Sequence, residues 1–150
     1  MVIKPLIVVS AIALMNDHNQ VLYAQRPKGK SMEGLWEFPG GKLEPGETAE
    51  KAIQRELMEE LNLHVELTDL IPLTFASQEY DDFIMIMPLF ICRQWSGTLH
   101  PNEGQAYAWV NLDDLKSYPM PPADEPLLDH ILNFLKATCR QPAVGSIRLD

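Results

Sequence analysis

The stretch GGKLEPGETAEKAIQRELMEEL, residues 40–61, carries six glutamates within its last 18 residues. From residue 48 to about residue 61 the apolar side chains recur with the period of a helix, which predicts an amphipathic helix. Glu56, Glu59 and Glu60 share the side opposite the apolar stripe, because positions i, i+3 and i+4 are neighbours on a helix. The predicted helix therefore presents three carboxylates together.

These three carboxylates have two interpretations. On a solvated helix face, each like-charge pair costs only a few tenths of a kcal/mol. If they converge under partial burial, two charges about 4 Å apart repel by up to about 4 kcal/mol at an effective dielectric near 20. Three such pairs would rival the roughly 5–15 kcal/mol that stabilises a whole domain. Convergence would therefore require a cation, and oxygen-only ligands favour Mg²⁺ or Mn²⁺.

The context of the helix favours the second interpretation. Gly40 and Gly41 follow the short apolar segment LWEF and precede the helix after one loop. Glycine lets the backbone approach a ligand closely, although two glycines alone would indicate only a turn. The glycines, the three carboxylates, Glu47 and Arg55 together indicate a metal-dependent site.

The rest of the chain predicts an α/β fold. The predicted elements, in chain order, are a strand in MVIKPLIVVSAIALM, a turn at NDHNQ, a strand VLYAQR paired back as a hairpin, a short strand LWEF, the helix above, strands at about 63–76 and 83–95, a strand QAYAWV, a helical turn LDDLKS and a helix at 125–137. Pro72 and Pro88 imply edges or bulges in their strands. Strands on both sides of a helix, with a second helix at the end, predict a mixed sheet covered on two faces.

Length and composition indicate one domain, residues 1–138, followed by a flexible tail, residues 139–150. The formal net charge of −9 argues against binding long nucleic acid, which depends on Lys and Arg. No segment approaches the roughly 18 apolar residues of a membrane-spanning helix. Cys92 and Cys139 lack CxxC spacing, so a reducing, cytoplasmic setting is expected.

A spaced motif in this region resembles a known family signature. Gly41, five residues, Glu47, seven residues and then RELMEELNL match eight of the nine specified positions of the Nudix box, GxxxxxE followed by xxxxxxxREUxEExGU, where U is aliphatic. The departure is Asn62 in place of glycine, and asparagine also tolerates the left-handed conformation that ends a helix. The segments GLWEFPGGKLEPGE, NEGQAYAWVNLDDL and YPMPPADEPLL extend the similarity to the MutT branch of that family.

The resemblance implies an α/β/α sandwich with a mixed sheet between helices, and hydrolysis of nucleoside triphosphates. The implied substrate is an oxidised guanine nucleotide such as 8-oxo-dGTP, cleaved at the β-phosphorus to the monophosphate and pyrophosphate with Mg²⁺, for which Mn²⁺ can substitute. A monomer acting on a small molecule is expected. Two alternatives stay open: a preference for CTP, dCTP or modified pyrimidine nucleotides, and a non-hydrolytic domain that binds nucleotides or damaged DNA.

The resemblance also implies roles for single residues. The implied metal ligands are the carbonyl of Gly41 and the carboxylates of Glu56, Glu59, Glu60 and Glu103. A salt bridge between Glu47 and Arg55 would orient the catalytic helix. Either Glu56 or Glu103 would activate the attacking water.

Three further residues are candidates for binding the nucleotide. Asp124 matches a position that reads the edge of the base, where an ionised aspartate can only accept hydrogen bonds; as an alternative it is a helix N-cap. Arg26 matches a nucleotide contact, or is a surface arginine at a strand end. Phe38 flanks the base, or packs in the core.

Overall fold

The structure is a computed structural model that describes residues 3–139. The strands are β1 (Leu6–Leu14), β2 (Gln20–Gln25), β3 (Trp36–Glu37), β4 (Gly40–Lys42), β5 (Ile71–Glu79), β6 (Ile84–Cys92) and β7 (Tyr107–Asn111). The α-helices are α1 (Ala49–Leu61) and α2 (Leu127–Cys139), and short 3-10 helices cover Leu67–Asp69 and Leu112–Ser117. The predicted tail, residues 139–150, lies outside the described residues apart from its first residue, which ends α2. Within the described part, no helix combines the length and the apolar character needed to cross a membrane.

The strands form two sheets. One is mixed, in the order β4-β1-β6-β5, with β1 and β6 parallel and the outer pairs antiparallel. The other is antiparallel, in the order β3-β2-β7. The predicted mixed sheet is therefore present, together with a smaller second sheet that the sequence did not indicate.

The predicted hairpin of the first two strands is wrong, although the turn between them forms. In that turn the side-chain oxygen of Asn16 accepts from the N–H groups of His18 and Gln20, each at 3.0 Å. Strand β1 pairs with β4 on one edge and with β6 on the other, so neither edge is free for β2. Strand β2 instead joins the second sheet, and the described residues contain a single bridge between these strands, from Met15 to Val21.

The two helices cover opposite faces of the mixed sheet, because side chains alternate along β1. Ile12 and Leu14 belong to a core with α1, whereas Ala11, Ala13 and Met15 belong to a core with α2. The helix residues buried in these cores include Ile53, Leu57 and Leu61 from α1, and Leu127, Ile131 and Leu135 from α2. The predicted α/β/α sandwich, with a mixed sheet between helices, is confirmed.

Helix α1 begins and ends where the sequence predicts. The hydroxyl of Thr48 accepts the N–H of Lys51 at 3.1 Å and so caps the first turn. At the other end Asn62 has φ 59° and ψ 34°, and Leu63 donates its N–H to the carbonyl of Leu57 at 3.2 Å. Asparagine tolerates this left-handed conformation, so its replacement of the expected glycine leaves the helix end intact.

The later elements follow the prediction with shifted bounds. QAYAWV, LDDLKS and the closing helix correspond to β7, the second 3-10 helix and α2. Pro72 lies at a register shift in β5, which is an edge strand as predicted. Pro88 lies in the central strand β6 and not at an edge. The pairing of β6 with β1 stops at Ile86 and resumes at Leu89, because proline has no N–H to donate.

Candidate active site

Gly40 and the first glycine of the box, Gly41, lie in β4, a short strand that the sequence analysis did not predict. Gly40 and Gly41 pair with Ala11 and Ser10 of β1. A Cβ atom on Gly40 would lie 1.9 Å from the carbonyl oxygen of Ser10, and one on Gly41 would lie 2.4 Å from the carboxyl carbon of Glu56. The backbone of Gly41 therefore lies close to the Glu56 carboxylate, which would have to move if residue 41 carried a side chain.

Glu47 and Arg55 form a bidentate ion pair next to the end of β4. Arg55 donates from Nε to Glu47 Oε2 at 2.7 Å and from Nη2 to Glu47 Oε1 at 2.9 Å. The N–H of Glu44 donates to the same Glu47 Oε1 at 2.8 Å. These hydrogen bonds, those from Arg55 first, lower the pKa of Glu47 to about 2. The carboxylate therefore stays ionised at neutral pH.

Arg55 also holds two acids of its own helix. Its Nη1 donates to Glu56 Oε1 at 2.9 Å and to Glu59 Oε1 at 3.2 Å. Its Nη2 donates to the carbonyl of Lys42 at 3.0 Å, which ties the helix to the end of β4. One guanidinium thus links the glycine strand, the loop and the acidic helix face.

Glu60 is the acid whose surroundings most disfavour a negative charge. Burial, followed by the neighbouring Glu56 and then Glu103 and Glu37, raises the pKa of Glu60 well above its ordinary value. Burial is the largest cause, and the neighbouring acids add the repulsion expected of converging carboxylates. A divalent cation would relieve it, and an oxygen-only donor set suits a hard ion.

The predicted metal ligands are not assembled around a single point by side chains alone. Within residues 3–139, no group of three or more His, Cys, Asp or Glu side chains is arranged to hold an ion. The reason is visible at Arg55, which engages Glu56 and Glu59. Phosphate oxygens of a ligand and the backbone of Gly41 would have to complete the coordination, as is usual for Mg²⁺.

Glu103 reaches the acidic helix because the preceding loop caps the end of α1. The N–H of Asn102 donates to the carbonyl of Glu60 at 2.8 Å, and its side-chain amide donates to the carbonyl of Glu59 at 2.6 Å. These bonds satisfy carbonyls that a helix end otherwise leaves without partners. The sequence analysis missed Asn102, because nothing in the local pattern of that loop indicates a distant helix end.

A single cleft of about 490 Å³ contains most of the predicted site residues. The predicted residues that line it are Arg26, Phe38, Gly41, Glu60, Glu103 and Asp124. Four predicted residues lie outside the lining: Glu47, Arg55, Glu56 and Glu59. The Glu56 carboxylate lies behind Gly41, and Arg55 bonds to the other three carboxylates. The structure therefore places three of the predicted metal ligands and the three residues predicted to bind the nucleotide in one cavity.

Asp124 is buried in this cleft with only 4% of its surface exposed. Its Oδ2 accepts the N–H of Phe38 at 3.3 Å, and its backbone carbonyl accepts the N–H of Leu127. Burial, with a contribution from Glu37, raises the pKa of Asp124 to about 7. The side chain is thus directed into the cleft, and the alternative prediction of a side-chain N-cap is wrong.

Arg26 and Phe38 have less freedom to contact a ligand than the sequence suggested. Arg26 donates from Nε to the carbonyl of Ser31 at 2.6 Å and from Nη1 to both carboxyl oxygens of Glu37 at 3.1 and 3.3 Å. Phe38 is 4% exposed, and its ring meets the ring of Tyr23 edge-on with centroids 5.6 Å apart. Glu37, which the sequence analysis missed, could have been noticed as an acid inside the apolar segment LWEF.

The chain is similar to known proteins over most of its length. The NUDIX domain family matches residues 4–131. A CTP pyrophosphohydrolase of Escherichia coli K12 is 35% identical over 131 residues, which cover 87% of this chain and 93% of that protein. An 8-oxo-dGTP diphosphatase of Haemophilus influenzae is 34% identical over 133 residues, which cover 87% of this chain and 94% of that protein. The solution structure of the E. coli ORF135 protein matches with a TM-score of 0.77 and 33% identity over 93% of this chain and 96% of that chain.

The family match spans the glycine strand, the acidic helix and the loop that carries Glu103. The structural match extends over nearly the whole of both chains. Sequence motif, fold and relatives therefore agree, and the chain belongs to the Nudix hydrolase family.

Proposed function

We propose that this chain hydrolyses nucleoside triphosphates to the monophosphate and pyrophosphate, with oxidised guanine nucleotides such as 8-oxo-dGTP as substrates. The observation that carries the proposal is the shared cleft, in which Glu60, Glu103 and the backbone of Gly41 face the same cavity as the buried carboxyl of Asp124. Such a cavity offers one polar group for a base and an acidic group for a metal-bound polyphosphate. Several relatives are named for this activity.

Nudix hydrolases use divalent metal ions, and we propose Mg²⁺ here, with Mn²⁺ as a substitute. The ligands would be Glu56, Glu59, Glu60, Glu103 and the carbonyl of Gly41. When bound, the ion would neutralise phosphate charge and lower the pKa of an attacking water. Because Arg55 already holds Glu56 and Glu59, these two carboxylates are oriented before the ion arrives.

In the proposed reaction a water oxygen bonds to the β-phosphorus while the bond from that phosphorus to the bridging oxygen of the α-phosphate breaks. The bridging oxygen leaves with the monophosphate, and the terminal two phosphates leave as pyrophosphate. A proton of the water passes to a carboxylate, for which Glu56 and Glu103 are the candidates. Glu47 would act only through Arg55, by fixing the helix that carries the acids.

A second candidate substrate is a cytosine nucleotide. A buried carboxyl that retains its proton both donates and accepts a hydrogen bond, and cytosine presents an acceptor at N3 beside a donor at its amino group. The pKa of Asp124, raised to about 7 by burial, makes that neutral form accessible near neutrality. One relative is named CTP pyrophosphohydrolase.

The test is a panel of triphosphates, with 8-oxo-dGTP, dGTP, dCTP and CTP, assayed for pyrophosphate release with and without Mg²⁺. We expect metal-dependent release, with the highest kcat/KM for 8-oxo-dGTP. A higher kcat/KM for the cytosine nucleotides would favour the second candidate.

Glu59→Gln is the matched variant for this panel, and we expect it to abolish turnover with the fold intact. Turnover of no nucleotide by the wild type would overturn both candidates and favour a binding domain. Full activity of Glu59→Gln would mean that the metal lies elsewhere.

We further propose that the protein works as a monomer in the cytoplasm on small nucleotides. The free thiol of Cys92 is buried, which suits a reducing compartment. Sedimentation of the purified chain would test the oligomeric state.

A further inference from the structure

The turn between β5 and β6 carries two aromatic side chains, Tyr80 and Phe83, on either side of Asp81 and Asp82. Their rings are stacked, with centroids 4.7 Å apart and planes inclined by 24°. The N–H of Tyr80 donates to the carbonyl of Phe83 at 2.8 Å. The turn itself therefore holds the two rings together, and both side chains are only partly exposed although the turn is polar at its tip.

The chain just before β1 anchors this turn. Lys4 donates from Nζ to Glu79 Oε2 at 2.8 Å and to the carbonyl of Tyr80 at 3.0 Å. On the other side of the turn, the N–H of Ile84 donates to the carbonyl of Pro5 at 3.0 Å. Because both ends of the turn are attached, little conformational freedom remains to be lost when a ligand contacts the rings.

The stacked rings line the same cleft as Asp124 and Gly41. Met85 of β6 lies in the same lining and continues the apolar surface from the turn into the cavity. Neither ring has a part in the metal site or in the contact with the edge of a base described above. Their position in the cavity therefore needs an explanation of its own.

A nucleobase presents a polar edge and two apolar faces, and Asp124 can contact only the edge. Among the described residues that line the cleft, the aromatic ones are Phe38, Tyr80 and Phe83. Phe38 is 4% exposed and already contacts Tyr23, so its ring has little surface left for a ligand. The rings of Tyr80 and Phe83 remain as the aromatic surface available to a base.

We infer that the stacked rings of Tyr80 and Phe83 form the surface on which the face of the substrate's nucleobase rests. The inference depends on the proposed hydrolysis of nucleoside triphosphates. Every base has a π face, so stacking on aromatic side chains is tolerant of base identity. The ring pair supplies affinity for any base, whereas Asp124 distinguishes one base edge from another.

The test uses Tyr80→Ala and Phe83→Ala in the full chain, assayed with a guanine and a cytosine triphosphate. Each variant should raise KM about tenfold for both substrates with kcat little changed, because stacking is made equally in the bound substrate and the transition state. About tenfold corresponds to about 1.4 kcal/mol, within the range of about 1–3 kcal/mol for stacking of one base. Inorganic pyrophosphate has no base, so its inhibition constant should not change.

Phe75→Ala is the matched control, because Phe75 lies on β5, is 63% exposed and does not line the cleft. It should leave KM unchanged. Phe83→Leu keeps apolar bulk without a π face, so it should raise KM less than Phe83→Ala. It replaces Phe83→Ala if circular dichroism shows that the alanine variant is unfolded.

Two outcomes would overturn the stacking surface: an unchanged KM in the folded ring variants, or a parallel rise in the inhibition constant of pyrophosphate, which would show a general disturbance of the cleft. A wild-type chain that hydrolyses no triphosphate would overturn the proposed function instead. In that case calorimetric titration with nucleoside monophosphates tests the rings separately. If the wild type and the ring variants bind equally well, or if the wild type does not bind, this inference is overturned as well.

Discussion

The cleft has two sides of different origin. The acidic side, with Gly41 and Glu60, comes mostly from one continuous segment of the chain, whereas the side that would hold the base comes from four separate segments. The groups of the acidic side lie mostly within residues 41–60, on a strand, a loop and a helix that follow each other directly. On the other side Arg26, Phe38, Tyr80 and Asp124 come from four places between β2 and α2. Positions set by one helix cannot change independently, but residues from separate segments can. The acidic side therefore suits an invariant step on phosphate, and the other side suits a variable choice of base.

Glu56→Gln, like Glu59→Gln, should cause a loss larger than the effects below, because it removes a carboxylate that lies close to Gly41 and accepts from Arg55. A neutral amide is a poor metal ligand and no general base, so we expect kcat to fall by about 10²- to 10⁴-fold. Pyrophosphate release should fall by the same factor for guanine and cytosine triphosphates. Glu50→Gln, on the first turn of the same helix, is the control and should retain activity. A loss of activity with only one of the two triphosphates would contradict the assignment of phosphate chemistry and base choice to different sides of the cleft.

Arg55→Lys should give the next largest loss. Lysine cannot reproduce the planar fork that contacts Glu47, Glu56, Glu59 and the carbonyl of Lys42 together. Partners that orient metal ligands typically account for about 10- to 100-fold in activity, and we expect a loss in that range. The loss should appear as a lower apparent affinity for Mg²⁺ when activity is measured against Mg²⁺ concentration, and it should be the same with all substrates. Lys51→Arg on the same helix should have no effect, and wild-type metal affinity in Arg55→Lys would argue that the fork is only structural.

The charge of Asp124 should make base preference depend on pH. Burial raises its pKa to about 7, so the carboxyl is mostly neutral at pH 6 and mostly ionised at pH 8. The neutral form can donate to N3 of cytosine, and the ionised form cannot. Between pH 6 and pH 8 the ratio of kcat/KM for dCTP to kcat/KM for dGTP should therefore fall up to about tenfold. Guanine still binds at pH 8, because its N1–H and N2–H₂ groups donate to an ionised carboxylate.

Asp124→Asn is the variant that sharpens this prediction, because an amide keeps one donor and one acceptor at every pH. The ratio of kcat/KM values for dCTP and dGTP should then stay constant from pH 6 to 8. A ratio that changes equally in wild type and Asp124→Asn would assign the titration to another group.

The smallest expected effect concerns stability at low pH. The pKa of Glu47 is lowered from an ordinary value of 4.5 to about 2 by Arg55, so the pair stabilises the fold above about pH 4.5. This contribution is lost as the pH falls from about 4.5 to about 2. The difference in free energy of unfolding between wild type and Glu47→Gln should therefore be present at pH 7 and shrink towards pH 2.5. Glu125→Gln, at an exposed position before α2, should show no such trend.

Sequence reasoning succeeded where the interactions are local. The helix follows from the apolar period of one segment, and the left-handed Asn62 and the ion pair between Glu47 and Arg55 follow from the family motif in that same segment. The order of strands and helices along the chain likewise predicted a sheet covered on both faces, and side chains of β1 do belong to both cores. In these cases the physical cause lies within a few turns of helix or one strand.

It failed where the outcome depended on competition between distant segments. The local turn after β1 formed, yet β4 and β6 occupy both edges of that strand and displaced β2 into another sheet. The hydrogen bonds of Arg26 to Ser31 and Glu37 were also not predicted, and its contact with a nucleotide stays a prediction. Glu37 itself was missed because its charge matters only beside residues far away in the chain.

The amino-acid sequence alone therefore determined the acidic helix, through its apolar period, and the family and type of chemistry, through the spaced motif that this helix carries. Both depend on residues close together in the chain, which take their positions without help from the rest of the fold. Only the tertiary structure decided which side chains face the cleft with Asp124, and that the rings of Tyr80 and Phe83 are among them. Those positions depend on which strands pair and which loops cap a helix end, and such long-range choices result from packing of the whole chain.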